Sequence, residues 1–228
     1  MPKFLKLLLP CLLAACPRPA LCVDAAKADA GTPFAGVGVY YDGSGGSAAA
    51  PLLVYYRGWV GAGNYPGGGL SGGHITGSAN IVRSAAAALK FYKLAELAAE
   101  KGLVVLVTGS SDIAVRQAEI DALGRELGKD FTGVYAAAHS GGYVGLSASL
   151  PSLARLDALV LLDPFYSDFS AAVLARTQAG AACGGFYTPH NKARYQKWFT
   201  GAGCAVDESF SAADHEGWVG PSLKKHLP

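Results

Sequence analysis

The sequence predicts an α/β fold with a mostly parallel central sheet and helices on both faces. Three observations point there. Short, apolar, β-rich runs recur at residues 52–56 (LLVYY), 103–107 (LVVLV), 133–138 (GVYAAA) and 158–162 (ALVLL), as expected of strands buried on both faces of a parallel sheet. Segments with helical spacing of apolar residues alternate with these runs. Glycine-rich or polar stretches punctuate the junctions. Strands alternating with helices imply right-handed βαβ units, whose functional sites form at the carboxyl ends of the strands.

Taken in order, residues 36–41 (GVGVYY) read as a first strand and 52–56 as the second. A glycine-rich loop follows over residues 58–77, then a helical pattern over 79–101. The alternation continues with strand 103–107, helix 112–127, strand 133–138, helix 142–153, strand 158–162 and helix 169–178. Shorter segments close the chain: a strand near 185–187, a helix over 191–200, a strand over 205–210 and a terminal helix from Trp218. No internal repeat is visible. Residues 1–30 are assigned to a signal peptide and tether and 31–228 to one domain, with tether-like composition running on to residue 35.

Composition narrows the function. The chain has 228 residues, 51% hydrophobic and 16% charged, so apolar surface is ample for a core. The net charge of +2, with no basic stripe interleaved with aromatics, argues against nucleic acid as a partner. Lys224 and Lys225 read as part of a solvated face.

The N-terminus combines Lys3 and Lys6 with an apolar run from Leu7 to Ala15. That run is too short to span a bilayer and has the make-up of a signal peptide. The sequence Leu13-Ala14-Ala15-Cys16 resembles a lipobox, so membrane anchoring through a lipidated Cys16 is one reading. Ordinary cleavage after Ala25 or Ala30 is the other. Either way the protein is expected to be exported: periplasmic, an outer-membrane lipoprotein, or secreted. Of the five cysteines, Cys183 and Cys204 lie far beyond the targeting segment and are expected to pair in an oxidising compartment. No Cys/His spacing suggests zinc.

The chemistry is concentrated at residues 136–143 (AAAHSGGY). An apolar strand runs into Ser140, and a helix begins directly after it. A nucleophile elbow needs this arrangement, with small residues two before and two after the serine. Here those are Ala138 and Gly142. A serine hydroxyl needs a general base, itself oriented by a third group. Asp163, at the end of strand 158–162, supplies a carboxylate on the same sheet edge, with Asp168 and Asp207 as rivals. Three histidines lie downstream of it, His190, His215 and His226. His215, between the last strand and the terminal helix, is placed to act as base; His190 is a substitute and His226 reads as frayed tail. His139 is expected to pack beside the turn. Oxyanion donors would be the backbone amides of Gly141 and, from the loop after strand 52–56, Trp59, with Gly58 or Val60 as alternatives.

Together the blocks YYRGW at 55–59, HSGGY at 139–143, LLDPFY at 161–166 and DHEGW at 214–218 resemble the α/β-hydrolase superfamily, in particular bacterial exported serine hydrolases with a similar elbow. The resemblance implies the α/β-hydrolase fold and esterase-like cleavage of carboxylic ester or amide bonds through an acyl-enzyme. It calls for no metal or organic cofactor and implies a small-molecule or envelope-derived substrate. Two departures stand out. Many members carry His-Gly where this chain has Arg57-Gly58, and the acid falls one strand after the nucleophile, earlier than is commonest. A non-catalytic envelope binding protein, or an acyltransferase using the same triad, are the competing functions.

Overall fold

The computed structural model describes residues 30–58, 84–164, 167–189, 195, 202–207 and 215–228. Eight strands form one sheet in these residues: β1 (Thr32–Phe34), β2 (Gly38–Asp42), β3 (Ala49–Tyr56), β4 (Val104–Thr108), β5 (Asp130–His139), β6 (Ala158–Leu162), β7 (Ala182–Phe186) and β8 (Ala205–Asp207). Their order is β1-β2-β4-β3-β5-β6-β7-β8. The β4-β3-β5-β6-β7-β8 part is parallel throughout. β2 runs antiparallel to both β1 and β4, closing one edge. The predicted mostly parallel α/β architecture is therefore present.

Successive residues of a strand face opposite sides of the sheet, and both sides are packed here. Leu52, Val54, Ala136, Ala138 and Leu161 face one core, covered by α3 (Gln117–Leu127), α4 (Tyr143–Ser149) and α5 (Ser170–Gln178) through Ile120, Leu146 and Val173. Leu53, Tyr55, Ala137, Val160 and Leu162 face the other, covered by α1 (Ala85–Phe91), α2 (Leu94–Lys101) and α6 (Val219–His226) through Leu89, Leu94 and Leu223. This two-sided burial is why stretches such as Leu52–Tyr56 and Ala158–Leu162 are apolar at every position rather than alternating.

Several boundaries differ from expectation. Thr32–Phe34 is an edge strand, not tether; it folds back on β2, with Val37 N–H donating to the Phe34 carbonyl at 3.1 Å. Three residues are too few to display an alternating pattern. The helix expected over 79–101 is two helices, because Lys93 takes a left-handed conformation (φ 53°) between α1 and α2. His226 is not a frayed end. It closes α6 and bonds Asp207 at 2.8 Å. A disulfide joins Cys183 in β7 to Cys204, just ahead of β8. Among the described residues no helix is long and apolar enough to cross a membrane. Residues 1–29, with Cys16, lie outside the described residues, as do the loop over 59–77, most of the helix expected over 191–200, and 208–210.

Candidate active site

Strand register places the key residues. His139 of β5 pairs with Leu162 of β6, so Ser140 and Asp163 leave neighbouring strands at the same level. Tyr56 of β3 pairs with Ala138, which brings Arg57 and Gly58 to that same carboxyl edge.

Ser140 sits at the tip of a sharp turn. Its φ is +50°, in the left-handed region that L-residues avoid. A short 3₁₀ turn, Ser140–Gly142, leads straight into α4. The turn is possible only because its neighbours lack side chains. A Cβ on Gly142 would lie 2.1 Å from the Tyr56 carbonyl oxygen, and one on Gly58 would lie 3.0 Å from the Ser140 Cβ. Ala138 is fully buried. Gly141 stands in the first helical turn, where backbone amides have no intrahelical acceptor and point outward. Such an amide is suited to a developing anion.

Asp163 also takes a positive φ, +52°, at the end of β6. Its side chain is fully buried and densely hydrogen-bonded. The Thr188 N–H and Oγ1–H donate to its two oxygens at 3.0 and 2.7 Å, and His215 Nδ1–H donates to Oδ2 at 2.7 Å. Burial alone would raise the carboxyl, but the bonds from His215 and Thr188 outweigh it and hold Asp163 below its ordinary range. His215 shows the complementary effect. Burial alone would lower the imidazole, yet Asp163 raises it above its ordinary 6.5. Since a carboxylate can only accept, neutral His215 carries its proton on Nδ1 and its lone pair on Nε2. Its side chain is 24% exposed, so the imidazole is half-buried rather than enclosed.

The rival acids are engaged elsewhere. Asp168 accepts from the Ser170 N–H and Oγ–H at 3.2 and 2.6 Å, at the start of α5. Asp207 bonds Lys225 and His226. Of the three acids considered, Asp163 alone bonds His215 in the described structure. His190 and the oxyanion candidate Trp59 lie outside the described residues.

His139 does more than pack beside the turn. Its Nε2–H donates to the His215 main-chain carbonyl at 3.1 Å, and the two rings lie 4.6 Å apart. Its Nδ1 lies 3.3 Å from the Tyr92 hydroxyl, which also bonds the Glu216 carboxylate. The residue before Ser140 is thereby tied to the base and to its chain neighbour. At 2% exposure, burial pushes His139 down to about 4, so it is neutral, as the Nε2–H tautomer requires.

Tyr92, Thr188 and Glu216 were not singled out by sequence reasoning. Tyr92 lies within the helical pattern over 79–101 without a distinguishing motif, and Thr188 follows a strand without any motif. Glu216 had a signal in its place beside His215. His139, His215 and Glu216 each offer a metal-ligand type atom within 4.8 Å of the others. Each of these side chains is already engaged in the hydrogen bonds just described.

Comparison with family models, curated proteins and solved structures finds no match. The functional reading therefore rests on the geometry at this sheet edge.

Proposed function

We propose that this chain is a serine hydrolase of the α/β-hydrolase type, cleaving ester or amide bonds through Ser140, His215 and Asp163. The observation that carries the reading is the 2.7 Å bond between the buried Asp163 carboxylate and His215 Nδ1, on the same sheet edge as a strained serine. Asp163 fixes the tautomer that leaves Nε2 free to accept a proton. Strain at a half-buried turn residue, held by surrounding structure, is characteristic of functional positions.

In this mechanism His215 Nε2 takes the Ser140 hydroxyl proton as Oγ attacks the substrate carbonyl carbon. The tetrahedral oxyanion is met by the Gly141 amide, with the Trp59 amide as the proposed second donor. His215 then gives the proton to the leaving group, and an acyl-serine remains. Water, activated by His215, attacks the acyl carbon and frees the serine. Asp163 stays ionised throughout and stabilises the imidazolium. Every step is a proton or acyl transfer between the named groups, substrate and water. The Cys183–Cys204 disulfide is compatible with an oxidising, exported setting.

The test is hydrolysis of 4-nitrophenyl acetate by wild type and Ser140→Ala, with folding of both followed by circular dichroism. Turnover lost in a folded variant supports the reading; turnover retained overturns it.

A further inference from the structure

Arg57 leaves β3 at the same sheet edge as Ser140 and plays no part in the proposed proton transfers. It is 7% exposed. A guanidinium stays charged when buried, and burying a charge is costly unless an opposite charge compensates it. Yet Arg57 has no carboxylate within ion-pair distance among the described residues. Its Nε–H and Nη2–H both donate to one neutral acceptor, the Gly109 carbonyl, the former at 2.8 Å, and its own N–H donates to Thr108 Oγ1 at 3.3 Å. The acidic group that influences it, Asp112, is exposed, and its carboxylate accepts from Ser110 Oγ–H. The adjoining stretch 59–83 contains no Asp or Glu at all. Lys129 shows the contrasting case, with a largely buried side chain paired to Asp42 at 3.1 Å.

The remaining guanidinium nitrogen decides what Arg57 can do. Nη1 donates to no atom among the described residues. It is not among the fully buried polar atoms left without a partner there, which are Tyr55 Oη, Tyr56 Oη and Ser222 Oγ. Gly109 clamps the Nε–Nη2 side of the guanidinium, and Nη1 on the other side is unbonded among the described residues. Gly58, the next residue, abuts Ser140.

We infer that Arg57 is a substrate-recognition residue that binds an anionic group, so that the esters or amides cleaved at Ser140 carry a carboxylate or a similar oxyanion near the scissile bond. The substrate's charge supplies the partner that the described residues do not. The fixed guanidinium recognises it through charge-assisted hydrogen bonds. This inference rests on the reading of Ser140 as nucleophile for its catalytic consequence, but not for the binding itself.

Two measurements test it. The first is kcat/KM for 4-nitrophenyl hemisuccinate relative to 4-nitrophenyl pentanoate, in wild type, Arg57→Gln and Arg57→Lys. Wild type should favour the anionic ester, with the preference shrinking as salt is added. The Gln variant should lose about tenfold or more of the ratio, the loss expected on removing one charge-assisted interaction, and Lys should keep part of it. A ratio that Arg57→Gln leaves unchanged overturns the inference. The second is succinate binding by titration calorimetry to wild type, Ser140→Ala and Arg57→Gln. Binding to the first two and not the third supports the inference even if no ester is hydrolysed. In that case the proposed function fails and the anion site stands. Equal binding, or none, in all three overturns the anion site whatever the esterase result. Should Arg57→Gln fail to fold, Arg57→Lys decides both measurements: weakened but salt-sensitive anion preference supports the site, and an unaltered ratio and affinity overturn it.

Discussion

His139 Nε2–H holds the main-chain carbonyl of His215 at 3.1 Å. The residue preceding Ser140 therefore fixes the backbone that carries the candidate base. His139→Ala should lower kcat by about a hundredfold, the scale of a misplacement of about 1 Å, with KM little changed. His139→Gln, which keeps a donor of similar reach, should recover part of the loss. Steady-state kinetics on one ester checks both. Equal kcat in all three proteins would show that the bond has no positioning role.

The same histidine predicts how stability responds to acid. In the unfolded chain it protonates near 6.5, but burial delays this in the fold to about 4. As pH falls from 6.5 toward 4 the unfolded state therefore binds more protons, and stability falls, by up to about 3 kcal/mol. The surrounding groups act in other windows. Asp163, depressed, contributes stability that is lost only as pH falls through its own lowered value. His215, raised, contributes stability that is complete below 6.5 and lost as pH rises through its folded value. Glu216 and Tyr92 also face His139. Urea unfolding at pH 7 and 4.5 should show the loss in wild type and a shallower one in His139→Gln. Parallel losses would remove His139 as the cause.

Asp163 should set the acid limb of the rate profile. His215 must be neutral to accept a proton, and Asp163 raises its pKa above 6.5. The kcat/KM profile should thus rise with pH to a midpoint above that value. Asp163→Asn should shift the midpoint downward and cut kcat by about ten-thousandfold, because an amide no longer enforces the Nδ1–H tautomer. A variant with unchanged midpoint and a mild rate loss would point to another partner for His215.

Much of this was legible beforehand, for definite reasons. The parallel core was readable because burial on both faces leaves runs such as Ala158–Leu162 wholly apolar. The sharp turn at Ser140 was readable because the steric demand at Gly142 is local and leaves a mark in the sequence. The choice among Asp163, Asp168 and Asp207 was not settled, because it depends on where the segment bearing His215 crosses the sheet edge. The break at Lys93 and the strand Thr32–Phe34 were hidden for a similar reason. A left-handed residue without glycine carries no signal, and a three-residue edge strand is defined only by its partner β2. The Tyr92–His139–Glu216 connection joins residues far apart in the chain, 47 positions for Tyr92 and His139 and 124 for Tyr92 and Glu216. No local pattern could announce it.

Strain at Ser140 yields a stability prediction. A φ of +50° disfavours any side chain, while glycine adopts it freely. Ser140→Gly should be more stable than Ser140→Ala by about 1 kcal/mol, with both inactive. Thermal or urea unfolding of the pair checks this. Ala equal to or more stable than Gly would mean the turn is not strained in solution.

The most direct test of Ser140 as an activated nucleophile is covalent labelling with a fluorophosphonate, read by peptide mass spectrometry. One adduct is expected, on Ser140, forming rapidly in wild type and at a strongly reduced rate in folded His215→Ala. Folded wild-type protein left unlabelled, or labelled at another residue, would contradict it.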